Sequence, residues 1–357
     1  MEKLTYIFVI LVLIPLLFVA CEEYYKPVMD VVPAILVVDA HLSNDSQNSF
    51  VKLTMTNDFY NTAQAKLVTG ANVKLIEEGN HLIEGYEQTT GFFIFADTLV
   101  PMKKYRIRIT YKTDIYESYP VLMPPLPRID SLYTKDKPVN GYQTDSYGVV
   151  TPIVTPSRDI CIDAPITSAI KYYRFSNRAI LQWVYYPPST GGPPPPPWFG
   201  WKSIYDNGLF NLAGPKDFRV SADVHQHSLM TLAYNGYTYL DFKGQIPAGW
   251  ILIIDQYGIT KESYDFHLQL NKQFSAEGNL FDPVQAQVYG NIHCVTSSEK
   301  LVLGFFDLNS YRQYRYYLNL GTGPDNQVVQ RRLNRYLEIP DQGYNDKGTT
   351  PDFWEYN

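Results

Sequence analysis

Cys21 is the residue whose chemistry is set most clearly by its neighbours. It follows the small residue Ala20 at the end of an almost unbroken apolar run over residues 6–19. A small residue directly before a cysteine in this position is the bacterial lipobox pattern, in which the thiol is acylated and the leader is removed. Two or three acyl chains then attach the protein stably to a membrane. We predict a lipoprotein signal peptide at residues 1–20 and lipidation of Cys21; an ordinary cleaved signal with an incidental cysteine is the alternative.

Two carboxylates follow the predicted lipid directly. Glu22 and Glu23 open a short segment, residues 21–33, that we interpret as an acylated tether. The pair resembles the surface-export signal of lipoproteins from Bacteroidota, and a solvated linker without a signal is the alternative. An export signal predicts a protein in the outer membrane, anchored by its lipid and facing the cell surface. No later apolar run is long enough for a membrane span, so we expect the rest of the chain to be soluble.

Histidines at alternate positions form one candidate metal pair. His225 and His227 flank Gln226, and a strand would place both rings on one face, with Asp223 two residues earlier. An exposed polar strand explains the same residues, and no further ligand cluster is evident in the sequence. We therefore predict no metal site.

Residue patterns typical of catalysis are largely missing. The sequence contains no Gly-x-Ser-x-Gly elbow, no His-Glu-x-x-His and no phosphate-binding glycine loop. Cys161 stands between Ile160 and Ile162, an apolar setting that favours an inert structural thiol. Paired carboxylates for glycoside hydrolysis remain open, because their separation is a property of the folded chain. We predict a protein that is not an enzyme and uses no cofactor, and the net charge of -6 argues against a nucleic-acid partner.

The elements that must position these residues are predicted to be mainly β. The 30 Tyr and 18 Phe, against 18% charged residues, favour strands because aromatic rings fit a pleated, half-buried surface. Residues 50–56 and 105–111 alternate apolar with polar side chains, as strands with one buried face do. We predict two antiparallel β-sandwich-like domains of the immunoglobulin or prealbumin type. The predicted boundaries are 34–122 for the first sandwich, 123–128 for a Pro-rich linker, 129–337 for the second β domain and 338–357 for a C-terminal tail.

The second domain is predicted to contain one amphipathic helix at residues 260–275. Thr260 is a suitable N-cap, because its hydroxyl can accept a hydrogen bond from a backbone N–H of the first turn. Phe266, Leu270 and Phe274 repeat at four-residue spacing, which predicts one apolar face.

A proline-rich segment, residues 187–201, is predicted as a loop of the second domain. Five successive prolines at 193–197 adopt polyproline II geometry and project stiffly from a sheet. Trp198, Phe199 and Trp201 follow, and large aromatic side chains are costly to leave in water. The loop is either a tolerated hairpin insertion or a surface that contacts a partner or ligand through these three side chains.

Cys161 and Cys294 are the cysteines that remain after Cys21. In an oxidising compartment two such residues can form one long-range disulfide. Two buried free thiols are equally compatible with the sequence, so the pairing stays open.

Several segments in order resemble one family. They are residues 35–39, 277–283, 290–292, 302–306 and 348–354. With the lipobox, they resemble the domain-of-unknown-function lipoproteins of Bacteroidota that accompany TonB-dependent outer-membrane receptors, over nearly the whole mature chain. Members often carry a cysteine pair before the closing Gly-Thr segment, which residues 340–347 lack, so no disulfide is expected there. The family has no assigned activity, so no catalytic residue is carried over.

The resemblance implies a function in nutrient uptake. We expect a surface-anchored lipoprotein that acts as a non-catalytic accessory or binding subunit of a TonB-dependent β-barrel receptor, with a glycan or a peptide as candidate ligand. The alternative is a stand-alone carbohydrate-binding or adhesive surface lipoprotein. Tyr and Trp suit both functions, because they combine a large contact area with one polar tip.

Overall fold

The computed structural model describes a mainly β chain with several antiparallel sheets, which confirms the predicted fold class. The described residues are 33–57, 64–155, 157–185, 191–194, 198–206, 208–215, 223–233, 246–275, 288–319 and 328–330. The predictions for residues 1–20, Cys21, Glu22, Glu23 and residues 338–357 lie outside these ranges. In the described ranges, no helix is long and apolar enough to cross a membrane.

The described chain contains 23 strands. The first ten are β1 Leu36–Leu42, β2 Phe50–Met55, β3 Lys66–Leu67, β4 Asn72–Glu77, β5 His81–Glu84, β6 Tyr86–Thr89, β7 Phe92–Ile94, β8 Lys104–Tyr111, β9 Asp114–Ser118 and β10 Val121–Leu122. The others are β11 Ser131–Asp136, β12 Val139–Thr144, β13 Val150–Thr155, β14 Ser157–Ala164, β15 Tyr172–Tyr185, β16 Trp198–Tyr205, β17 Asn211–Ala213, β18 Val224–Ala233, β19 Ile246–Ile259, β20 Ile292–Cys294, β21 Val302–Leu308, β22 Ser310–Asn319 and β23 Val328–Gln330. The α-helix α1 spans Lys261–Phe274, and a 3-10 helix spans Ser46–Asn48.

The first sandwich buries one face of each of two sheets around a common core. One sheet has the strand order β6-β7-β2-β1-β21, and the other has the order β5-β4-β8-β9-β20. On β8, Tyr105, Ile107 and Ile109 are buried, whereas Arg106 and Arg108 between them are partly exposed. The alternation in the sequence therefore divides this strand between core and solvent as predicted.

The strands β20 and β21 complete the first sandwich from the far end of the chain. β20 pairs with β9, and β21 pairs in parallel with β1, with Leu36 opposite Val302. Gly304 on β21 has φ +94°, and a Cβ there would lie 1.9 Å from the carbonyl oxygen of Val38, so glycine is required. Sequence periodicity assigned these strands to the second domain, whereas their hydrogen bonds join them to the first sandwich. The domain boundaries themselves stay a prediction.

The second sandwich packs the sheet β11-β14-β18 against the sheet β16-β15-β19-β22-β23. Buried side chains from both sheets form its core, among them Ile160 and Ile162 on β14, Phe175 on β15, and Leu252 and Ile254 on β19. β15 and β19 are each 14 residues long and pair with each other over most of their length. α1 lies against β15 and the short strand β17.

The helix α1 confirms the predicted helix to within one residue at each end. The Thr260 hydroxyl accepts a hydrogen bond from the N–H of Ser263 at 3.2 Å, and the helix ends at Phe274. Its buried face differs from the expected one, because Phe274 is 67% exposed while Ser263 and His267 are buried. The spacing of the aromatic residues predicted an apolar buried face, whereas the polar residues Ser263 and His267 are the buried ones.

Candidate functional site

A cleft of about 580 Å³ lies where the two sandwiches share a strand path. β21 runs through the first sandwich and, after one residue, continues as β22 in the second. That residue, Asn309, is completely buried, and its N–H donates to the carbonyl oxygen of Leu42 at 3.0 Å. The side chains that give the cleft its polar character are Asp39 and His41 on β1, Arg174 on β15, His267 on α1 and Asp307 on β21.

Asp307 forms the floor of the cleft. Its Oδ1 accepts a hydrogen bond from the hydroxyl of Ser263 at 2.6 Å. Its Oδ2 lies 3.2 Å from His41 Nδ1, 3.5 Å from Arg174 Nη2 and 3.3 Å from Asn309 Nδ2. Burial alone would raise the pKa of Asp307, but the hydrogen bond to His41 and the positive charge of Arg174 outweigh burial and hold its pKa well below the usual range. The carboxylate is therefore charged in the folded protein.

Arg174 neutralises this buried charge. Its guanidinium lies 4.2 Å from the centre of the Tyr257 ring, a cation–π contact, while Nη2 lies 3.5 Å from Asp307 Oδ2. Its Nε is buried and has no hydrogen-bond partner among the residues that the structure describes. Burial raises the pKa of Tyr257, so its hydroxyl stays protonated beside the ion pair. The floor thus carries a positive and a negative charge that cancel.

His267 presents a hydrogen-bond acceptor to the cleft. Its Nδ1 lies 2.8 Å from the carbonyl oxygen of Ser263, which can only accept, so Nδ1 carries the proton. Nε2 then has a free lone pair, and it has no partner within the described part of the chain. Burial lowers the pKa of His267, which favours the neutral ring, and the ring of Phe210 meets it edge-on at 4.6 Å.

Ser263, His267 and Asp307 are the residue types of a hydrolase triad, but their arrangement is different. In a triad the histidine accepts the serine proton and the carboxylate orients the histidine. Here the Ser263 hydroxyl donates to Asp307, lies 3.4 Å from the protonated Nδ1 and has no exposed surface. No substrate can reach that hydroxyl, so the three side chains form a structural network.

The sequence alone did not predict this cleft. His41 and Asp307 are 266 residues apart, and each lies on a strand that is otherwise mostly apolar. The spacing of Ser263 and His267, four residues apart on a predicted helix, was the one local signal that could have revealed part of it.

A second unusual surface is a hairpin that we name the arm, residues 139–155. Its strands β12 and β13 pair with each other as a two-stranded sheet. Asp145 builds the turn by accepting the N–H groups of Tyr147 and Val149, each at 2.9 Å. The arm exposes a series of apolar side chains, with exposed fractions of 44–91%: Val139, Tyr142, Tyr147, Val149, Val150 and Val154.

The predicted histidine pair has separate partners. His225 lies 2.9 Å from a carboxylate oxygen of Asp163, whereas His227 contacts Asn211 and the ring of Phe175. Gln226 between them has φ +52°, and the register shifts at this point of β18. Within the described residues no group of His, Cys, Asp and Glu could hold a metal ion.

The predicted proline-rich loop is shorter than expected. β16 begins at Trp198, and the backbone pairs Trp198 with Tyr185 and Phe199 with Val184. Trp201 pairs in the same way with Gln182. Residues 198–201 therefore belong to a sheet and not to a loop, because they continue a ladder that the prolines cannot join. Their proposed contact with a partner or ligand stays a prediction.

The two internal cysteines are buried free thiols in sheets of different sandwiches. Burial raises the pKa of the Cys161 thiol, which also lies 3.6 Å from the Asp159 carboxylate. Of the two alternatives left open by the sequence, the structure therefore shows two unlinked thiols. A raised pKa keeps Cys161 protonated and unreactive.

Comparisons with known proteins identify one family. A search of curated proteins found no match. The family model described as Domain of unknown function (DUF4249) matches residues 22–315, which include the arm, the cleft and both sandwiches up to the middle of β22. This protein therefore belongs to the DUF4249 family.

Proposed function

We propose that this protein is a surface-anchored lipoprotein that acts as a non-catalytic accessory or binding subunit of a TonB-dependent outer-membrane nutrient receptor. The observation that supports this proposal best is the arm. A two-stranded hairpin that is exposed to water on both faces is at best marginally stable by itself. Contiguous apolar side chains on such an element are typical of a surface that binds another protein.

The composition of the arm favours binding to an apolar protein surface over binding to a highly charged molecule. Asp145 is its one charged residue, and that carboxylate is already used by the turn. Tyr142 and Tyr147 are 79% and 91% exposed, and tyrosine is enriched at protein interfaces. The proposed identity of the partner is based on the sequence, because the lipobox at Cys21 and the family resemblance both favour a receptor in the outer membrane.

The cleft supports the non-catalytic part of the proposal. The Ser263 hydroxyl, which could have served as a nucleophile, is held by Asp307 and closed to solvent. The Cys161 thiol is buried and protonated. Neither the Ser263 hydroxyl nor the Cys161 thiol is available as a nucleophile, which supports a binding role over a catalytic one.

Co-purification tests the proposal directly. The lipidated protein, tagged at its C-terminus, is extracted in mild detergent, and the eluate is analysed by mass spectrometry. We expect a β-barrel receptor in near-equal amount, and its loss when Tyr142 and Val154 are both changed to Ser. The matched control is Leu82→Ser on β5, which is 51% exposed and outside the arm.

Two outcomes would contradict the proposal. Recovery of the lipoprotein alone, in conditions that preserve receptor complexes, would favour the stand-alone carbohydrate-binding or adhesive protein. Equal loss of the receptor in the arm variant and in the Leu82→Ser control would show that the arm is not the docking element.

A further inference from the structure

The cleft has the size and the mixed lining of a small-molecule site. Its volume of about 580 Å³ lies within the range of ligand sites in proteins, which combine apolar walls with a few fixed polar groups. The walls are aromatic: Phe266 stacks on Phe305 with ring centres 4.4 Å apart, and Phe50 and Phe210 line other sides. None of the residues that line the cleft belongs to the arm, so a ligand site in the cleft does not depend on the receptor partner.

The charges around the cleft leave no excess of either sign. Arg174 and Asp307 neutralise each other on the floor, and the guanidinium face is covered by Tyr257. Asp39 at the edge lies opposite Lys52 on the neighbouring strand. A phosphate or carboxylate ligand would meet no cation that lacks a counter-charge. The carboxylate of Asp39 has no ion-pair partner in the described chain, but the nearby charge of Lys52 offsets its own. The cleft is therefore suited to a neutral ligand.

The free polar groups specify what such a ligand must supply. Nε2 of His267 is an acceptor without a partner in the described chain, on a side chain that is 93% buried and lines the cleft. The carboxylate of Asp39 accepts no hydrogen bond from any described residue, and Gln47 adds an exposed amide at the rim. Acceptors exceed donors, so the ligand must bring several hydrogen-bond donors together with an apolar face.

We propose that the cleft is a binding site for a neutral polyhydroxylated ligand, of which a pyranose sugar is the simplest class. Sugar hydroxyls donate to His267 Nε2 and to Asp39. The C–H face of the ring packs on Phe266 and Phe210, since aromatic rings combine large apolar area with defined geometry. The ion pair of Arg174 and Asp307 holds β1, β15 and β21 together beneath the ligand and does not contact it.

The test uses the full lipidated chain in detergent. Isothermal titration calorimetry and saturation-transfer NMR measure binding of glucose, galactose, mannose, N-acetylglucosamine, maltose and cellobiose. Glucuronic acid and glucosamine are matched analogues that carry one negative or one positive charge. We expect at least one neutral sugar to bind, and its charged analogue to bind about tenfold more weakly or not at all.

Variants connect the binding to the cleft. His267→Asn keeps a donor near Ser263 but removes the Nε2 acceptor, and Asp39→Asn removes the carboxylate; each should weaken binding about three- to tenfold. Phe266→Ala should abolish it. Gln269→Ala, an exposed change on the same helix, is the control and should bind like the wild type.

The proposal is overturned if no neutral sugar binds at millimolar concentration, or if a charged analogue binds best. It is also overturned if His267→Asn and Asp39→Asn proteins with unchanged circular dichroism and Tm bind as well as the wild type. Because receptor co-purification does not enter this measurement, either proposal can fail while the other stands.

Discussion

The cleft and the arm reverse the usual distribution of polarity in opposite directions. The cleft buries a carboxylate and a histidine, and partly buries a guanidinium and a second histidine, at the point where two sandwiches share a strand path. The arm instead leaves six apolar side chains in water. A buried polar network is expensive to break, because each removed member leaves another without its partner. Replacing exposed apolar side chains of a strand by polar ones lowers the free energy of unfolding only a little. The two regions should therefore separate stability from binding.

The largest expected effect is at the floor of the cleft. Asp307→Ala leaves Arg174 buried without its counter-charge and removes the acceptor of the Ser263 hydroxyl. We expect a loss of about 3–5 kcal/mol in the free energy of unfolding, measured by urea denaturation. The double change Asp307→Leu with Arg174→Met removes both charges and should recover at least half of that loss. A single variant as stable as the wild type would show that the network contributes nothing to stability.

A smaller effect is expected from pH. Burial lowers the pKa of His267 in the folded protein below its ordinary value of 6.5. Below pH 6.5 His267 becomes protonated in the unfolded chain, whereas it stays neutral in the folded chain until a lower pH. The free energy of unfolding should therefore fall as the pH drops below 6.5. The decline should be shallower in His267→Asn, measured by urea denaturation between pH 7.5 and pH 5. Parallel curves for the two proteins would contradict this origin.

The smallest expected effect on stability is in the arm. Changing Tyr142 and Val154 together to Ser should alter the free energy of unfolding by less than about 1 kcal/mol, because neither side chain is buried. The same variant is the one expected to lose the receptor. A drop in stability comparable to that of Asp307→Ala would show that the arm packs against the protein itself, and the contrast between the two regions would disappear.

Local patterns predicted the elements better than their partners. The alternation along β8 and the cap at Thr260 each depend on residues close in sequence, and both predictions are confirmed. The strand β21 contains a segment, residues 302–306, that resembles the family, but nothing in its own residues indicates that it pairs with β1. Pairing across the whole chain is a property of the folded backbone, and strand alternation carries no information about it.

The candidate site was missed for a related reason. His41 and Asp307 are each ordinary on their own strands and form a cluster only through the pairing of β1 with β21. The histidine pair around Gln226, which the sequence offered as a metal pair but did not favour as one, shows the converse limit, because one positive φ disrupts the regular alternation that a metal pair would need. Clusters assembled from distant strands are thus hidden from the sequence, and clusters assumed from perfect strands can be false.

The pairing of β1 with β21 also orders events during synthesis. β1 leaves the ribosome early, but its parallel neighbour follows only after more than 250 further residues. Until then β1 has a free edge, which is a template for pairing with other chains. The first sandwich cannot close one part at a time as the chain emerges, because its last strand is also the strand that leads into the second sandwich. The first sandwich can therefore complete its fold only after β21 has been synthesised. In a product truncated before residue 302, the edge of β1 would stay unpaired, so that product would be prone to aggregate and accessible to proteases.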